Sequence, residues 1–390
     1  MKIDVINASL SDGADSLAAQ ISALPEKPSF ISVQLNCELD PAAIIAAADD
    51  AALIGATSAL GSMSDAGPID GAVAFCISDA DGDYGVGTAA LADDATAAAR
   101  QATTDALRNA DRIGEQPALV WVMTTPGREE AVLAGIEAVV TAHVPIIGGS
   151  AADNTVSGDW FVFGQDVLKG DAVAVAVLFP SGPVQHAYQN GYAPTEHSGT
   201  VTRAEGRHVL ELDGKPAMDV YREWTADSVP AAPPSGDEPR AILAESTLWP
   251  LGREIGSLNN VPQYLLAHPS GVDSAGGLHL FADVAEGETL VQMSGSIGGL
   301  VSRAGRVATL AKDAGSLRDR RIAGALMVYC GGCMFAVRDH IDAVCDGVAD
   351  ALPETPFAGY FSFGEQGPVV GGENRHGNLM ISCIVFGEAS

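Results

Sequence analysis

Long apolar runs are missing from this sequence of 390 residues, and nothing in it approaches the ~18 apolar residues that a membrane-spanning helix requires. The opening segment, MKIDVINASLSDGAD, has no basic stretch followed by an apolar one and does not read as a secretory signal. Basic residues are scarce. With 21 Lys and Arg against 50 Asp and Glu the net charge is −29 and the isoelectric point about 4.3. Such a balance repels phosphate backbones and anionic lipid, so neither nucleic-acid binding nor membrane insertion is expected. Cysteine is sparse as well: Cys37, Cys76, Cys330, Cys333, Cys345 and Cys383 are scattered, and four of them lie in apolar surroundings, as reduced thiols usually do. The expected location is cytoplasmic.

Several chemical motifs are also lacking. No Gly-x-Ser-x-Gly elbow, His-Glu-x-x-His or Walker-type loop occurs, which removes the parts for hydrolase, zinc-peptidase and P-loop chemistry. Asp79, Asp81 and Asp83 begin like a calcium loop, but Tyr84 stands where glycine is needed and Ala90 where glutamate is needed. Gly85-Val86-Gly87 has no third glycine at the dinucleotide spacing.

What is present is one pattern three times over: a β-like run, a helix-like segment, an apolar run ending in a Gly/Ser-rich loop, and a further strand. The copies read FISVQL, IGATSALGSM and GAVAFCI from Phe30; PALVWVM, PIIGGSAADN and GDAVAVAVLF from Pro117; and ALMVY, PFAGYFSFGEQG and HGNLMISCIVF from Ala325. Each copy delivers a hydrogen-bonding loop to the same end of a sheet, where α/β folds bind small ligands. The expected fold is α/β (α+β) in two domains with internally duplicated strand-helix-strand-loop-strand units. Residues 1–27 read as a leader with a helix near Ala14–Ala23, 28–225 as the first domain and 226–390 as the second, with the breaker-rich 230–239 as linker or exposed insertion. Asp40-Pro41 should open a helix over AAIIAAADDAA, the Ala-rich stretch from Leu91 to Leu107 should be the longest helix, and Gly199–Gly214 should form a hairpin turning at Glu205-Gly206.

Tyr329-Cys330-Gly331-Gly332-Cys333 lies where a strand should end and a helix begin. Thiols at a first helical turn face the positive end of the helix dipole, which lowers their pKa and favours redox or nucleophilic use; the other reading is a ligand-facing loop with small glycines. No second Cys-x-x-Cys completes a zinc site. The three loops carry Thr57 and Ser58; Ser150, Asp153 and Asn154; and Ser362, Glu365 and Gln366, a mixture of N–H donors and side-chain acceptors suited to zwitterions and carboxylates. His376 and Asn378 stand beside the third. The remaining histidines read as structural, although one on an apolar wall would suffice to ligate haem.

These segments, together with LDGKPAMDVY at Leu212 and YFSFGEQG at Tyr360, resemble the FIST family, with its N-terminal and C-terminal FIST domains, over about residues 28 to 388. The resemblance implies a sensory protein that binds a small molecule, an amino acid or a related metabolite, and relays to a separate partner such as a histidine kinase. It also implies an alternative, a haem-dependent nitric-oxide sensor, for which the chain offers no histidine before His143, while the residues themselves leave another, a thiol enzyme using Cys330 and Cys333. Cys330 matches the family's cysteine after the C-terminal strand, Glu365 its Gly-Glu loop and Asn378 the asparagine entering the last strand, while Cys333 departs from a position often held by arginine. Ligand contact is expected at Ser58, Ser150, Asn154, Cys330, Cys333, Glu365, His376 and Asn378. No catalytic residue, metal or resident cofactor is expected, haem being the one open possibility.

Overall fold

Runs such as FISVQLN, AVAFCIS and LVWVMT are buried along their whole length, which requires sheets covered on both faces. The computed structural model describes residues 1–389 apart from 227, 230–233, 235, 237 and 319, so most of the expected linker 230–239 lies outside the described residues. Three similar units follow one another. The first comprises β1 (Lys2–Ala8), α1 (Gly13–Ser22), β2 (Phe30–Asn36), α2 (Ala42–Ala47), β3 (Ala52–Ser58), the short strands β4 (Ser62–Ser64) and β5 (Gly67–Ile69), and β6 (Ala72–Ser78). The second repeats this order with β7 (Asp83–Ala90), α3 (Ala95–Asn109), β8 (Leu119–Thr124), α4 (Glu129–Val140), β9 (Ile146–Ser150), β10 (Phe161–Phe163), β11 (Val167–Lys169) and β12 (Ala172–Phe179).

The third unit opens with β13 (Val184–Asn190) and is interrupted by an insertion that forms its own nine-stranded sheet. The insertion holds β14 (Ala193–Glu205), β15 (His208–Leu212), β16 (Lys215–Pro216), α5 (Ala217–Trp224), β17 (Arg240–Ala241), α6 (Leu243–Ser246), β18 (Leu251–Leu258), β19 (Val261–Ala267), β20 (Pro269–Val272), β21 (Leu278–Leu280) and β22 (Thr289–Ser294). The unit then resumes with α7 (Ile297–Lys312), β23 (Ile322–Cys330), α8 (Gly331–Ala336), α9 (Ile341–Ala351), β24 (Phe357–Ser362), β25 (Glu365–Pro368), β26 (Asn374–Gly377) and β27 (Met380–Gly387). The inserted sheet runs on both sides of positions 225 and 226.

In every unit two parallel strands, β2 and β3, β8 and β9, or β23 and β24, are joined by an antiparallel strand and an outer strand. The repeat is therefore longer than the sequence pattern: the expected leader contributes β1, paired along its length with β6, and α1. The short hairpins are exchanged in a ring. Strands β4–β5 extend the third unit's sheet beside β24, β10–β11 extend the first beside β3, and β25–β26 extend the second beside β9. One face of each sheet carries the unit's helices. The opposite faces meet in a shared core of residues from all three, among them Phe30, Phe75, Trp121, Tyr360 and Phe386, with Trp121 and Tyr360 edge to face at 6.1 Å.

Local chemistry explains the departures from the sequence reading. The Ala-rich helix begins at Ala95 rather than Leu91 because Asp94 caps it, accepting from Ala97 N at 2.9 Å, while the chain as far as Ala90 is strand β7; at 15 residues it falls short of the 16 of α7 and is not the longest. The glycines of Gly85-Val86-Gly87 sit in that strand. A Cβ on either would lie 2.1 Å from a carbonyl oxygen of α3, so glycine is what lets the helix ride on the strand. Helix α2 stops at Ala47, two residues before Asp49 takes a left-handed φ of 52°. Among the described residues no helix is long and apolar enough to cross a membrane.

Candidate functional site

The parallel strands of each unit end in a side-by-side pair: Asn36 with Ser58, Thr124 with Ser150, and Cys330 with Ser362. The three loops that leave these pairs bond to one another through the backbone. Ala59 N donates to Phe361 O at 3.1 Å, Phe363 N to Ser150 O at 3.1 Å, and Ala152 N to Thr57 O at 2.9 Å. The loops of all three units thus form one hub at the strand ends.

Serine side chains complete it. Ser58 Oγ accepts from Phe361 N at 2.9 Å and donates to Gly61 O, so it fastens the first unit to the third. Ser150 Oγ donates to Glu129 Oε1 at 2.8 Å, and Ser362 Oγ to Glu365 Oε1 at 2.6 Å. Asn154 sits at the rim as a latch between the second unit and the first: its Oδ1 accepts from Leu60 N at 2.8 Å and its Nδ2 donates to Asn36 and Glu38. Asp153, buried beneath it, accepts backbone N–H bonds from Thr155, Val156, Ser157, Gly158 and Asp159; burial raises its pKa, but these bonds outweigh it and hold the carboxyl below the usual range.

Two buried carboxyls dominate the electrostatics. Glu129, in the first turn of α4, accepts from Gly127 N at 3.0 Å and from Arg207 Nη2 at 2.7 Å; the same guanidinium reaches Glu130 at 2.6 Å and, through Nε, Asp283 at 3.1 Å. Arg207 lies in the two-residue β14–β15 turn, Gly206-Arg207, one position beyond the expected Glu205-Gly206, so this cluster ties the inserted sheet to the second unit. Glu365 has no such counter-charge. Burial first, and the neighbouring Cys330 sulfur second, push its carboxyl well above the ordinary range; its Oε2 accepts from Met380 N at 2.9 Å. His376 is buried between Gln366 Nε2, 3.2 Å from its Nδ1, and Phe281 O, 3.2 Å from its Nε2. Gln366 Oε1 and the Tyr360 hydroxyl are buried without a partner, which leaves hydrogen-bonding capacity unused at the hub.

A small cavity of about 50 Å³ opens against the hub, room for about three or four water-sized groups. Its wall comes from the second unit (Pro126, Val156, Trp160), the third (Cys330, Gly332, Phe335, Phe363, Gly364, Asn378) and the insertion (Leu243, His268, Phe281). Of the residues singled out from sequence, Cys330 and Asn378 line this cavity. Ser150, Glu365 and His376 belong to the buried network behind it, and Ser58 and Asn154 join loops to one another. Cys333 faces the core, 3.7 Å from the Tyr192 hydroxyl. Asn378 Oδ1 accepts from His268 N at 3.1 Å, and His268 Nε2 lies 3.0 Å from Ser246 Oγ. Glu129, Arg207 and His268 escaped the sequence reading. A glutamate at a helix start carries only a capping signal, and the arginine that meets it is 78 residues away.

The expected low-pKa thiol is corrected by burial: the Cys330 thiol is pushed well above its ordinary value, first by desolvation and then by its contact with Cys333, and is therefore protonated at neutral pH. The six-residue α8 that follows has too little dipole to reverse this. Haem does not fit the histidines at this site. The cavity touching His268 has room for only a few water-sized groups, far less than a porphyrin, both ring nitrogens of His376 are engaged, and the groove that reaches His376 carries five carboxylates, Glu130, Glu254, Asp283, Glu288 and Glu373, against two guanidinium groups, Arg253 and Arg375. Two clusters bring metal-type donors together, Glu129, Glu130 and His376, and His208, Asp273 and His279. In the first, Arg207 already occupies the cationic position. In the second, the imidazoles stack at 4.1 Å and 9°, so their in-plane lone pairs run parallel instead of converging on one ion.

Three units that exchange hairpins and lock their strand-end loops into one hub, against which a small cavity opens, define an internally triplicated α/β protein. Residues 30–215 match the FIST N domain and residues 217–368 the FIST C domain. The chain belongs to the FIST family, whose domains are associated with small-ligand sensing in signalling. An uncharacterized protein of Mycobacterium bovis is 31% identical over 245 residues, 60% of this chain and 58% of that protein. A second mycobacterial protein, also uncharacterized, from Mycobacterium tuberculosis, is 27% identical over 236 residues. An uncharacterized protein of Methanocaldococcus jannaschii is 39% identical over 85 residues, 16% of its length. The chain thus spans well under two thirds of these relatives. Among solved structures, cyanuric acid hydrolase from A. caulinodans aligns over 98% of this chain and 97% of its own at 13% identity, with a TM-score of 0.35.

Proposed function

We propose that this chain is the sensory input of a cytoplasmic signalling pathway, in which a small molecule enters the cavity beside Cys330 and Asn378 and changes how the second unit, the third unit and the insertion pack together. The observation that carries the reading is the cavity's wall, which combines the second unit, the third unit and the insertion in one place. A ligand there contacts all three at once, and its different affinity for two arrangements is the energetic source of a switch. The ligand class is a small, largely apolar metabolite related to the amino acids: the wall turns little polar surface inward, with apolar faces at Trp160, Phe281, Phe335 and Phe363 and an amide at Asn378 for one polar group. A separate protein, such as a histidine kinase, reads the changed surface.

Thermal denaturation of the wild type, Asn378→Ala and Cys330→Ser against a panel of amino acids tests the site. A ligand that raises the wild-type melting temperature should lose that effect in both variants. Retention of every ligand shift in both would place binding elsewhere.

A further inference from the structure

A second, larger concavity lies on another face, between the β18–β19 hairpin, the end of β13 and helix α7. Its volume is about 520 Å³, within the ~300–1,000 Å³ of small-molecule sites. Two arginines one helical turn apart, Arg303 and Arg306, line it. Neither has a carboxylate partner among the described residues, in a chain where acidic residues outnumber basic ones by 50 to 21. Arg207, Arg112 and Arg253, by contrast, are all ion-paired. Arg303 bonds to Gln189 Oε1 through Nη2, while its Nε is buried with no acceptor. Burial, then the charge of Arg306, disfavour its cationic form. A guanidinium pair left without counter-charge and partly desolvated lacks an anion.

Part of the lining is apolar. Val261 is 59% and Val370 37% exposed, and both line the groove with Pro262 and Ile255. Exposed aliphatic groups sharing a groove with a guanidinium pair match a ligand that is anionic at one end and apolar along its body.

We propose that this groove is a second binding site, for a small organic anion with an apolar tail: Arg303 and Arg306 take the anionic head and Val261, Pro262 and Val370 cover the tail. The site goes beyond the cavity at Cys330 and is wired to it. Tyr188 and Tyr192 line the groove, and the Tyr188 hydroxyl donates to Glu365 O at 2.9 Å while that of Tyr192 lies 3.7 Å from Cys333 Sγ. Anion binding in the groove therefore bears directly on the loop and helix that shape the hub.

Octanoate, 1-octanol and octylamine separate the contributions of head and tail in isothermal titration. The full chain should bind octanoate, against its own net charge, and bind octanol and octylamine weakly or not at all. Arg306→Gln, an exposed residue with no bond to lose, should weaken octanoate roughly tenfold, and Arg303→Gln/Arg306→Gln more. Val261→Asp should weaken it without altering the melting temperature. Failure of octanoate to bind at millimolar concentration, equal affinity for octanol, or unchanged affinity in the Arg306→Gln protein overturns the proposal. None of these substitutions touches Cys330 or Asn378, so the result is independent of the cavity reading.

Discussion

His268 gives the sharpest test of how the cavity wall is built. The ring is buried, and burial pushes its pKa down to about 4 from 6.5. The Ser246 hydroxyl donates to Pro269 O at 2.6 Å and is left to accept from His268 Nε2–H, so the neutral ring that burial favours carries its proton on Nε2. The unfolded chain takes up a proton near pH 6.5, whereas the folded one refuses it until about 4. The stability that this histidine contributes is thus present above pH 6.5 and is lost as pH falls toward 4. The gap amounts to about 3 kcal/mol at pH 4, of which about 2 kcal/mol is lost between pH 7 and pH 5. Urea unfolding of the wild type and His268→Gln, followed by tryptophan fluorescence from about pH 7 down to about 5, isolates this contribution from that of the many carboxylates. Glutamine keeps a group that can donate to Ser246 and removes the titration, so the wild type should lose about 2 kcal/mol more than the variant over that range. Parallel stability curves for the two proteins would refute the reasoning.

Arg207→Ala leaves Glu129 buried without its counter-charge and should cost about 3–5 kcal/mol in chemical denaturation, most of it recovered in the Arg207→Ala/Glu129→Gln protein. Glu365→Gln should raise the melting temperature more at pH 8 than at pH 5: a carboxyl whose folded pKa is raised destabilises the fold increasingly as pH rises above its unfolded value, and the amide never ionises. Gly87→Ala should destabilise by about 1–3 kcal/mol through its clash with Ala102 O, whereas Gly298→Ala in α7, with nothing within 4 Å, should be neutral or stabilising. In native protein, iodoacetamide should modify half-buried Cys37 well before Cys330 and Cys333, which should react on unfolding; prompt labelling of Cys330 would contradict its buried, protonated state.

The central strands were legible because fully buried parallel strands leave continuous apolar runs bounded by turn residues, as in FISVQL and ALMVY. The β14–β15 hairpin was legible from its alternation, although the turn falls at Gly206-Arg207, one residue beyond the expected Glu205-Gly206. The exchanged hairpins were not, since β4 and β5 are three residues each and their partner, Ala358 to Tyr360, lies almost 300 positions further on. The repeat correctly drew attention to Ser58, Ser150 and Ser362, which occupy matching strand ends. It could not show that the cavity wall also draws on His268, whose environment is set by Ser246 and Asn378 from distant parts of the chain. At Cys330 the local sequence signalled a helix start, and tertiary burial decided its chemistry.

The ring of exchanged hairpins sets the order in which this protein can be made. Strand β4 leaves the ribosome almost 300 residues before the edge it completes, β24, and β9 likewise waits about 215 residues for β25. Until then, open sheet edges are exposed to other chains. Closure depends on contacts of very large sequence separation, so folding should be slow, and a nascent chain should depend on chaperones for most of its elongation. Expressing residues 217–368 alone would leave β24 without β4, β25 without β9, and β23 without β27. The stretch recognisable as a domain in sequence is thus not a segment that can reach its structure by itself.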